Sequence, residues 1–289
     1  MDSHPEMDAP PRALPSRGAD LDRPNPARIY DYALGGRANF AADRAAFDAF
    51  AAVYPDNALA ARSNRAFLRR AVAYLARQGI DQFLDVGSGL PTGGNVHEVA
   101  QRANPTARVV YVDNDPVAVR YSRELLAEEQ GDEEGAARGV AAIEADLRDP
   151  AAILGHPETR RLLDRRQPLG LLLVAVLHFI PDDEEARRAV RAVREALAPG
   201  SYVVLSHATL DGLPADVIAR FEAIYRRSTT PTIARPRARI AALFEGLDVV
   251  EPGLVLTPLW RPDAARDPLA DEPGRAAVLA GVGRTQWAR

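Results

Sequence analysis

The segment from Phe83 to Thr92 constrains the fold of this chain more than any other feature of its sequence. It is an apolar run that breaks into two glycines, Gly87 and Gly89, with an acidic residue, Asp85, just ahead of them. A second apolar run further along the chain ends on another acidic residue, Asp113. A buried strand, a glycine turn and a second strand that ends in a carboxylate are typical of the nucleotide-binding half of a doubly wound sheet. The carboxylate of Asp113 is then placed to accept hydrogen bonds from both ribose hydroxyls of an adenosine.

Two adenosine cofactors compete for this turn, a nicotinamide dinucleotide and S-adenosylmethionine (SAM). A dinucleotide fingerprint requires a third glycine so that the pyrophosphate can sit on a helix N-terminus, but Thr92 occupies that position. Pro91 also removes one of the backbone N–H groups that would hold a phosphate. Asp85 suits a cofactor that carries an ammonium group and would repel a pyrophosphate. We therefore favour SAM over NAD(P), while a glycine turn that only reverses the chain is the third interpretation.

Composition narrows the class of protein. The 289 residues include no cysteine, which excludes disulfides and thiolate chemistry. The net charge is −4, so no overall positive field attracts nucleic acid. All 36 basic residues are arginine. No apolar stretch reaches the length of a membrane span, and the N-terminus lacks the pattern of a signal peptide. We expect a soluble cytoplasmic protein that binds no membrane, and the charge does not support nucleic acid as a partner.

The chain divides into three regions by composition and periodicity. Residues 1–22 are rich in Pro, Asp and Arg without periodicity, which is typical of a disordered tail. Residues 23–78 are predicted to form an N-terminal helical cap, in which Pro26 begins a short helix after Asn25. Residues 79–289 alternate between strands and helices, so we expect an α/β fold with a doubly wound, mostly parallel, seven-stranded Rossmann-like sheet. The predicted strands are 82–86, 108–112, 140–144, 169–177 and 201–206, with a closing pair at 247–250 and 277–283.

Short motifs along the chain are shared with a known family. They are Arg23-Pro-Asn-Pro-Ala-Arg-Ile-Tyr-Asp-Tyr32, Gly35-Gly36, Ser63-Asn-Arg-Ala-Phe-Leu-Arg-Arg70, Asp85-Val-Gly-Ser-Gly-Leu-Pro-Thr92, Tyr111-Val-Asp-Asn-Asp-Pro116, Ala145-Asp-Leu-Arg-Asp-Pro150, Val174-Ala-Val-Leu-His-Phe179 and Ser206-His-Ala208. In these motifs the chain resembles the class I SAM-dependent methyltransferases, and more narrowly a bacterial family of unknown function that is labelled S-adenosyl methyltransferase. The resemblance runs from about Arg23 to the C-terminus. It implies the fold and the cofactor, and it supplies no substrate.

The resemblance also implies which residues hold the cofactor. All of them lie at or just past the carboxyl ends of neighbouring strands, which is where open α/β sheets bind ligands. The implied contacts are Asp85, Gly87, Ser88 and Gly89 with the methionine moiety, Asp113 with the ribose, Asn114, Asp146 and Leu147 with the adenine, and Ala175 and Val176 as the closing wall.

Two histidines are candidates for catalysis. Methyl transfer from a sulfonium disperses charge, so positioning of the acceptor supplies most of the rate, and a base is needed only where the acceptor must lose a proton. His178 and His207 each follow an apolar strand at the ligand end of the sheet, and each is either that base or a residue that orients a loop. We predict a structural role for His97. The acidic run 182–185 is typical of a helix N-terminus, so we predict no metal site.

The N-terminal segment is a second candidate site. Aromatic and polar residues surround its glycine pair: Tyr30, Tyr32, Arg37, Asn39 and Phe40. One interpretation is a lid over the cofactor and part of the acceptor pocket, with Asn64 and Arg65 beneath it, and the other is a helical extension that packs on the sheet edge. The whole pattern predicts a SAM-dependent methyltransferase with a small-molecule acceptor. The remaining alternatives are a SAM-binding regulator or pseudoenzyme and an NAD(P)-dependent oxidoreductase.

Overall fold

A central β-sheet organises the part of the chain that the computed structural model describes, which is residues 21–91, 93–130, 139–213, 215–225 and 232–286. Of the predicted tail, residues 1–20 lie outside the described residues. The strands are β1 (Gln82–Val86), β2 (Arg108–Asp113), β3 (Val140–Glu144), β4 (Gly170–Val174), β5 (Tyr202–Ala208), β6 (Leu247–Val249), β7 (Val255–Leu256) and β8 (Val278–Thr285). The helices are α1 (Pro26–Ala33), α2 (Ala41–Ala51), α3 (Asn57–Arg77), α4 (Val96–Ala103), α5 (Pro116–Gln130), α6 (Pro150–Gly155), α7 (Pro157–Leu162), α8 (Asp183–Glu195), α9 (Ala215–Tyr225) and α10 (Arg237–Ala242).

The strands lie in the order β3-β2-β1-β4-β5-β8-β6, and the short strand β7 pairs with β8. Strands β1 to β5 run parallel, whereas β8 runs antiparallel between β5 and β6. The strand order reverses between β1 and β4, and open α/β sheets bind ligands beyond the carboxyl ends of the strands at such a point. The topology therefore directs the site to the ends of β1, β2 and β4.

The central strands are buried on both faces of the sheet, because alternate residues of a strand point to opposite sides. In β1, Leu84 belongs to one apolar cluster and Phe83 to the other, and Leu171 and Leu172 of β4 divide in the same way. All four side chains are completely buried. Helix α8 packs on the first cluster and α3 on the second. Burial on two faces explains why these strands read as continuous apolar runs in the sequence.

Buried polar contacts hold the N-terminal helices together. Asn25 begins α1 as predicted, since its side chain accepts hydrogen bonds from the N–H groups of Ala27 and Arg28. Arg28 Nε lies 2.9 Å from Asp43 Oδ2, and the two side chains are only 3% and 0% exposed. Breaking such a pair would leave a buried charge uncompensated, so it fixes α1 against α2. Both helices also contact α3.

The structure confirms the α/β class and the mostly parallel sheet, and it differs from the prediction at two strands. Strand β7 is an eighth strand where seven were expected, because its two residues are too few to show an alternating pattern. Strand β4 ends at Val174 rather than at the end of the apolar run. Ala175 has a φ of +56°, which takes the chain out of the extended conformation, and residues 177–179 then form a 3-10 helix.

Candidate cofactor site and acceptor cleft

The glycine turn after β1 is held against the ends of β2 and β4. Gly87 and Gly89 have φ values of +76° and +64°, which residues with a side chain rarely adopt. A Cβ atom on Gly87 would lie 2.3 Å from Cγ2 of Val176, so the turn also needs the space that glycine leaves. The N–H groups of Gly87 and Ser88 donate to the carbonyl of Val112 at 2.8 and 3.1 Å. The structure therefore brings together the turn and Val176, as the predicted site requires.

Asp113 lies next to this turn at the end of β2. Its Oδ2 accepts a hydrogen bond from the N–H of Gly89 (2.7 Å), and its Oδ1 accepts one from the N–H of Asp115 (2.9 Å). Burial raises the pKa of the Asp113 carboxyl, and these N–H donors oppose that effect. Since a carboxylate offers about four acceptor positions, capacity remains for the hydroxyls of a ligand.

Asp85 lines a cavity beside the turn and is only 5% exposed. Burial raises the pKa of its carboxyl to about 7, Arg65 lowers the pKa, and Asp113 raises it. The register of β1 and β2 pairs Asp85 with Tyr111, so the two side chains project to the same side of the sheet. The predicted residues Ser88 and Gly89 line the same cavity, together with Arg65, Asn95 and Tyr111.

Tyr111 and Asn95 were not among the predicted site residues. The hydroxyl of Tyr111 accepts a hydrogen bond from the backbone N–H of His97 (3.0 Å) and lies 2.8 Å from Nδ1 of the same histidine. Arg65 Nη2 donates to Asn95 Oδ1 at 3.0 Å. The alternation of β2 could have revealed Tyr111, because it precedes Asp113 by two positions and so shares its side of the strand.

The residues predicted to meet the adenine follow β2 and β3. Asn114 Nδ2 donates to Asp146 Oδ2 at 3.3 Å, and Arg148 Nη2 donates to the same oxygen at 2.6 Å. The Arg148 guanidinium lowers the pKa of Asp146 to about 2, so this carboxylate is charged at neutral pH. Leu147 is 5% exposed and belongs to the apolar core, so its side chain serves packing.

A chain of hydrogen bonds joins the end of β4 to the N-terminal helices. The N–H of Ala175 donates to Ser206 Oγ at 3.0 Å, and Ser206 Oγ donates to Asn64 Oδ1 at 2.6 Å. Asn64 Nδ2 donates to the hydroxyl of Tyr30 at 2.9 Å, which donates to the carbonyl of Ala61 at 3.0 Å. The left-handed backbone of Ala175 is thus supported by residues from α1, α3 and β5.

His207 is fully buried, and both of its ring nitrogens are engaged. Arg235 Nη1 lies 2.7 Å from Nε2 of His207, and an arginine can only donate, so Nε2 accepts. Nδ1 then carries the proton and donates to the carbonyl of Ala208 at 2.7 Å. Burial lowers the pKa of His207 to about 4. In this arrangement His207 has no free lone pair with which to take a proton.

Arg235 is a buried residue that the sequence analysis did not single out. Its Nε lies 2.7 Å from Asp183 Oδ1, and its other nitrogens donate to the carbonyls of Leu177 (3.0 Å) and Ile180 (2.8 Å). It therefore fixes the segment after β4 to the start of α8 and to His207. A single arginine far along the chain carries no periodic signal, so it could not be found from the sequence.

His178 has a different environment from His207. Its Nδ1 is buried and has no hydrogen-bond partner among the described residues, while its backbone carbonyl accepts from Ile233 N–H at 2.8 Å. Its ring is perpendicular to that of His207, with the ring centres 5.6 Å apart. Burial lowers the pKa of His178 well below its usual value, and the charge of Arg235 acts in the same direction. His178 is therefore neutral at pH 7.

A second, more open cleft of about 620 Å³ meets the cavity that Asp85 lines, which we call the candidate cofactor cavity, at Arg65 and Pro91, which line both. Of the predicted lid residues, Arg37 lines this cleft. The others serve the cap itself: Asn39 donates to Asp31 at 2.9 Å, Tyr32 packs edge-on against Phe47, and Phe40 lies beneath the guanidinium of Arg28. Arg37 therefore lines the cleft, whereas Asn39, Tyr32 and Phe40 make contacts within the N-terminal segment.

Comparison with known proteins identifies the family. The sequence model of a family described as S-adenosyl methyltransferase matches residues 12–286. The chain belongs to this S-adenosyl methyltransferase family. A crystal structure of a DUF574 family protein from Streptomyces avermitilis MA-4680 is 40% identical, with a TM-score of 0.84 over 92% of this chain and 99% of that one. A crystal structure of a "putative methyltransferase" from Thermobifida fusca YX is 42% identical, with a TM-score of 0.85 over 95% of this chain and 100% of that one.

Membership of the S-adenosyl methyltransferase family confirms the resemblance, the SAM cofactor and the enzyme class that the sequence predicted, and it decides against the NAD(P)-dependent alternative. No protein of curated function matches the sequence. Two carboxyl groups of the methyltransferase fit the chemistry of SAM. Asp85 is a buried carboxyl whose raised pKa an ammonium group would lower, and Asp113 retains acceptor capacity beside the glycine turn. Both features suit an adenosine that carries an amino acid.

Proposed function

We propose that Asp85 and the turn Gly87-Ser88-Gly89 hold the methionine part of SAM, and that Asp113 holds its ribose. The observation that carries this proposal is the joint placement of two carboxyls about one glycine turn. Asp113 accepts the N–H of Gly89, and Asp85 lines the cavity next to the same glycine. Asn114 and Asp146, which contact each other, then border the adenine.

Bound SAM supplies a methyl group on a positively charged sulfonium. The contribution of the chain is to bind and orient, because a displacement at a sulfonium disperses charge and needs little stabilisation. Val176, which packs against the Gly87 turn, and Ala175 close the site from the end of β4. Hydrogen bonds through Ser206 to Asn64 hold the backbone of Ala175 in this position.

Where the acceptor must lose a proton, we assign the base to His178 rather than to His207. Only His178 has a buried ring nitrogen, Nδ1, without a partner among the described residues. His207 acts instead as a positioning residue that holds Arg235. A His178→Gln variant is expected to change the pH profile of methyl transfer, whereas an unchanged profile would remove the histidine from the reaction.

The N-terminal cap serves as a wall of the acceptor cleft in this proposal. Asp31, Leu34 and Arg37 line the cleft, while the buried pair Arg28–Asp43 fixes the helices behind them. The domain boundaries at residues 22 and 78 stay predictions. The cleft volume of about 620 Å³ lies in the range of pockets for small ligands, which supports a small-molecule acceptor.

The place of the enzyme in the cell is also still a prediction. None of the described helices combines the length and the apolar character that a membrane span requires. We propose the cytoplasm, and fractionation of the native host tests this.

Calorimetry with S-adenosylhomocysteine (SAH) tests the cofactor site. Asp113→Ala is expected to weaken SAH binding at least about tenfold, since it removes the acceptor for two hydroxyls. The matched control is Asp81→Asn, which removes a carboxylate just before β1, at the opposite end of that strand from Asp85. Equal affinity in the Asp113 variant and the wild type, with an unchanged melting temperature, would refute the assignment.

A further inference from the structure

The open cleft next to the cofactor cavity is strongly cationic. Five arginines line it, and among the described residues of its lining only Asp31 is acidic. Oδ2 of Asp31 accepts hydrogen bonds from the N–H of Ala38 (2.8 Å) and from Asn39 Nδ2 (2.9 Å), and Asp31 is 2% exposed. The arginines are Arg37, Arg62, Arg65, Arg69 and Arg266.

Three of these arginines have no acidic partner among the described residues. Arg266 pairs with Asp271 and Arg65 donates to Asn95, but no described carboxylate contacts Arg37, Arg62 or Arg69. All three are exposed. The chain as a whole has a net charge of −4, so this concentration of positive charge does not reflect the overall composition.

Three of the cleft arginines lie together on one helix, where their charges repel one another. Arg62, Arg65 and Arg69 recur on one face of α3 at spacings of three and four residues, where like charges destabilise a helix. The stem of Arg69 lies over Gly94, since a Cβ on that glycine would be 3.0 Å from Arg69 Cδ. A cleft lined by arginines attracts anions, and the guanidinium group suits carboxylates and phosphates. Binding of an anion would therefore explain a cluster that otherwise lowers the stability of the helix.

The cofactor alone does not account for the cluster. SAM carries one carboxylate, and Arg65 already lines the cofactor cavity where the amino-acid part is proposed to lie. The remaining arginines line the open cleft and not the cofactor cavity. We infer that they bind an anionic group of the methyl acceptor, so that the acceptor is a small molecule with a phosphate or carboxylate group. This inference rests on the proposed cofactor site, because it takes the adjoining cleft to be the acceptor site.

Titration calorimetry of the full chain, with and without saturating SAH, tests the inference. Inorganic phosphate and citrate are the two probes, and they distinguish a phosphoryl from a carboxylate preference. The test variant is Arg62→Gln/Arg69→Gln. The control is Arg77→Gln/Arg191→Gln, which removes the same charge from the far end of α3 and from α8 on the other face of the sheet.

The test variant is expected to bind the preferred probe at least about tenfold more weakly, and the control within about twofold of the wild type. Both variants should bind SAH as the wild type does. Equal probe binding in the test variant, or no binding of either probe to the wild type at about 10 mM, would overturn the inference. A parallel loss of SAH affinity in the test variant would also overturn it, because the arginines would then serve the cofactor. Failure of the wild type to bind SAH would refute the proposed cofactor site instead. In that case the binding of the probes measured without SAH still tests whether the arginines bind an anion.

Discussion

Replacing Gly87 with alanine tests why the turn after β1 requires glycine, either for its backbone conformation or for the space next to Val176. The φ of +76° places a side chain in the left-handed region, which costs an ordinary residue about 1–2 kcal/mol. The new Cβ would also lie 2.3 Å from Cγ2 and 2.6 Å from Cβ of Val176. Rotation of Val176 cannot relieve the second contact, so the turn or the end of β4 must shift, at a typical cost of about 1–3 kcal/mol. The free energy of unfolding should therefore fall by about 2–5 kcal/mol.

Urea unfolding of a matched set measures these parts. Gly79→Ala is the control, because Gly79 has a φ of +87° and nothing within 4 Å of the added Cβ, so only the backbone cost of about 1–2 kcal/mol applies. Adding Val176→Gly to Gly87→Ala also removes the Cβ at 2.6 Å, so it should recover part of the loss, with a coupling energy of about 1–3 kcal/mol in the double-mutant cycle. If Gly87→Ala and Gly79→Ala cost the same and the cycle shows no coupling, the contact between the turn and Val176 does not constrain the site.

Three further variants test other contacts. Asp85→Asn addresses pH: the folded-state pKa of about 7 exceeds the ordinary 3.8, so the folded protein binds more protons there and the contribution of Asp85 to stability should fall from about pH 4 to pH 7, on the order of 3 kcal/mol. His207 and His178, whose pKa values are lowered, change stability in the opposite direction in both proteins, so the quantity to follow by urea unfolding at several pH values is the free energy of unfolding of the wild type minus that of the variant. This difference should fall by that amount, and a difference that does not change with pH would contradict the buried carboxyl. Arg235→Met should lower the free energy of unfolding by about 3–5 kcal/mol, because it leaves buried partners without their hydrogen bonds. Arg239→Met is the control, since the Arg239 side chain is 65% exposed, and it should lower the free energy of unfolding by about 0–1 kcal/mol. Similar losses in the two variants would show that burial does not make the contacts of Arg235 stronger. Tyr30→Phe should cost about 1–3 kcal/mol in chemical denaturation by leaving Asn64 without its acceptor, while Tyr32→Phe, which keeps the contact with Phe47, should be nearly neutral. A Tyr30 variant as stable as the wild type would mean that this hydroxyl does not hold the cap.

Features that depend on neighbouring residues could be predicted from the sequence. The strand ending in Asp85, the glycine turn and the capped start of α1 are local patterns, since periodicity and capping act within a few residues. The meeting of Gly89 with Asp113 followed from the parallel arrangement of β1 and β2, because strand ends in a parallel sheet lie at one edge.

The contacts that the sequence did not reveal join distant elements. Arg235 reaches His207 from a segment of the chain that precedes α10, and Asn64 of α3 meets Ser206 of β5. Each depends on how helices pack on the sheet, which no local pattern encodes. The early end of β4 has the same origin, because the left-handed Ala175 is held by Ser206 and a short apolar run gives no sign of such a residue.

The hydrogen bonds from Tyr30 to Ala175 limit how this enzyme can be recombined with its relatives. They run through one side chain each of α1, α3 and β5 before reaching the end of β4. A chimera that exchanges only the N-terminal helices must therefore keep a hydroxyl at position 30 that matches the amide at 64. Under the acceptor site inferred above, the exposed arginines of the cleft can be replaced without breaking these hydrogen bonds, whereas exchange of the whole segment breaks them unless both residues are kept.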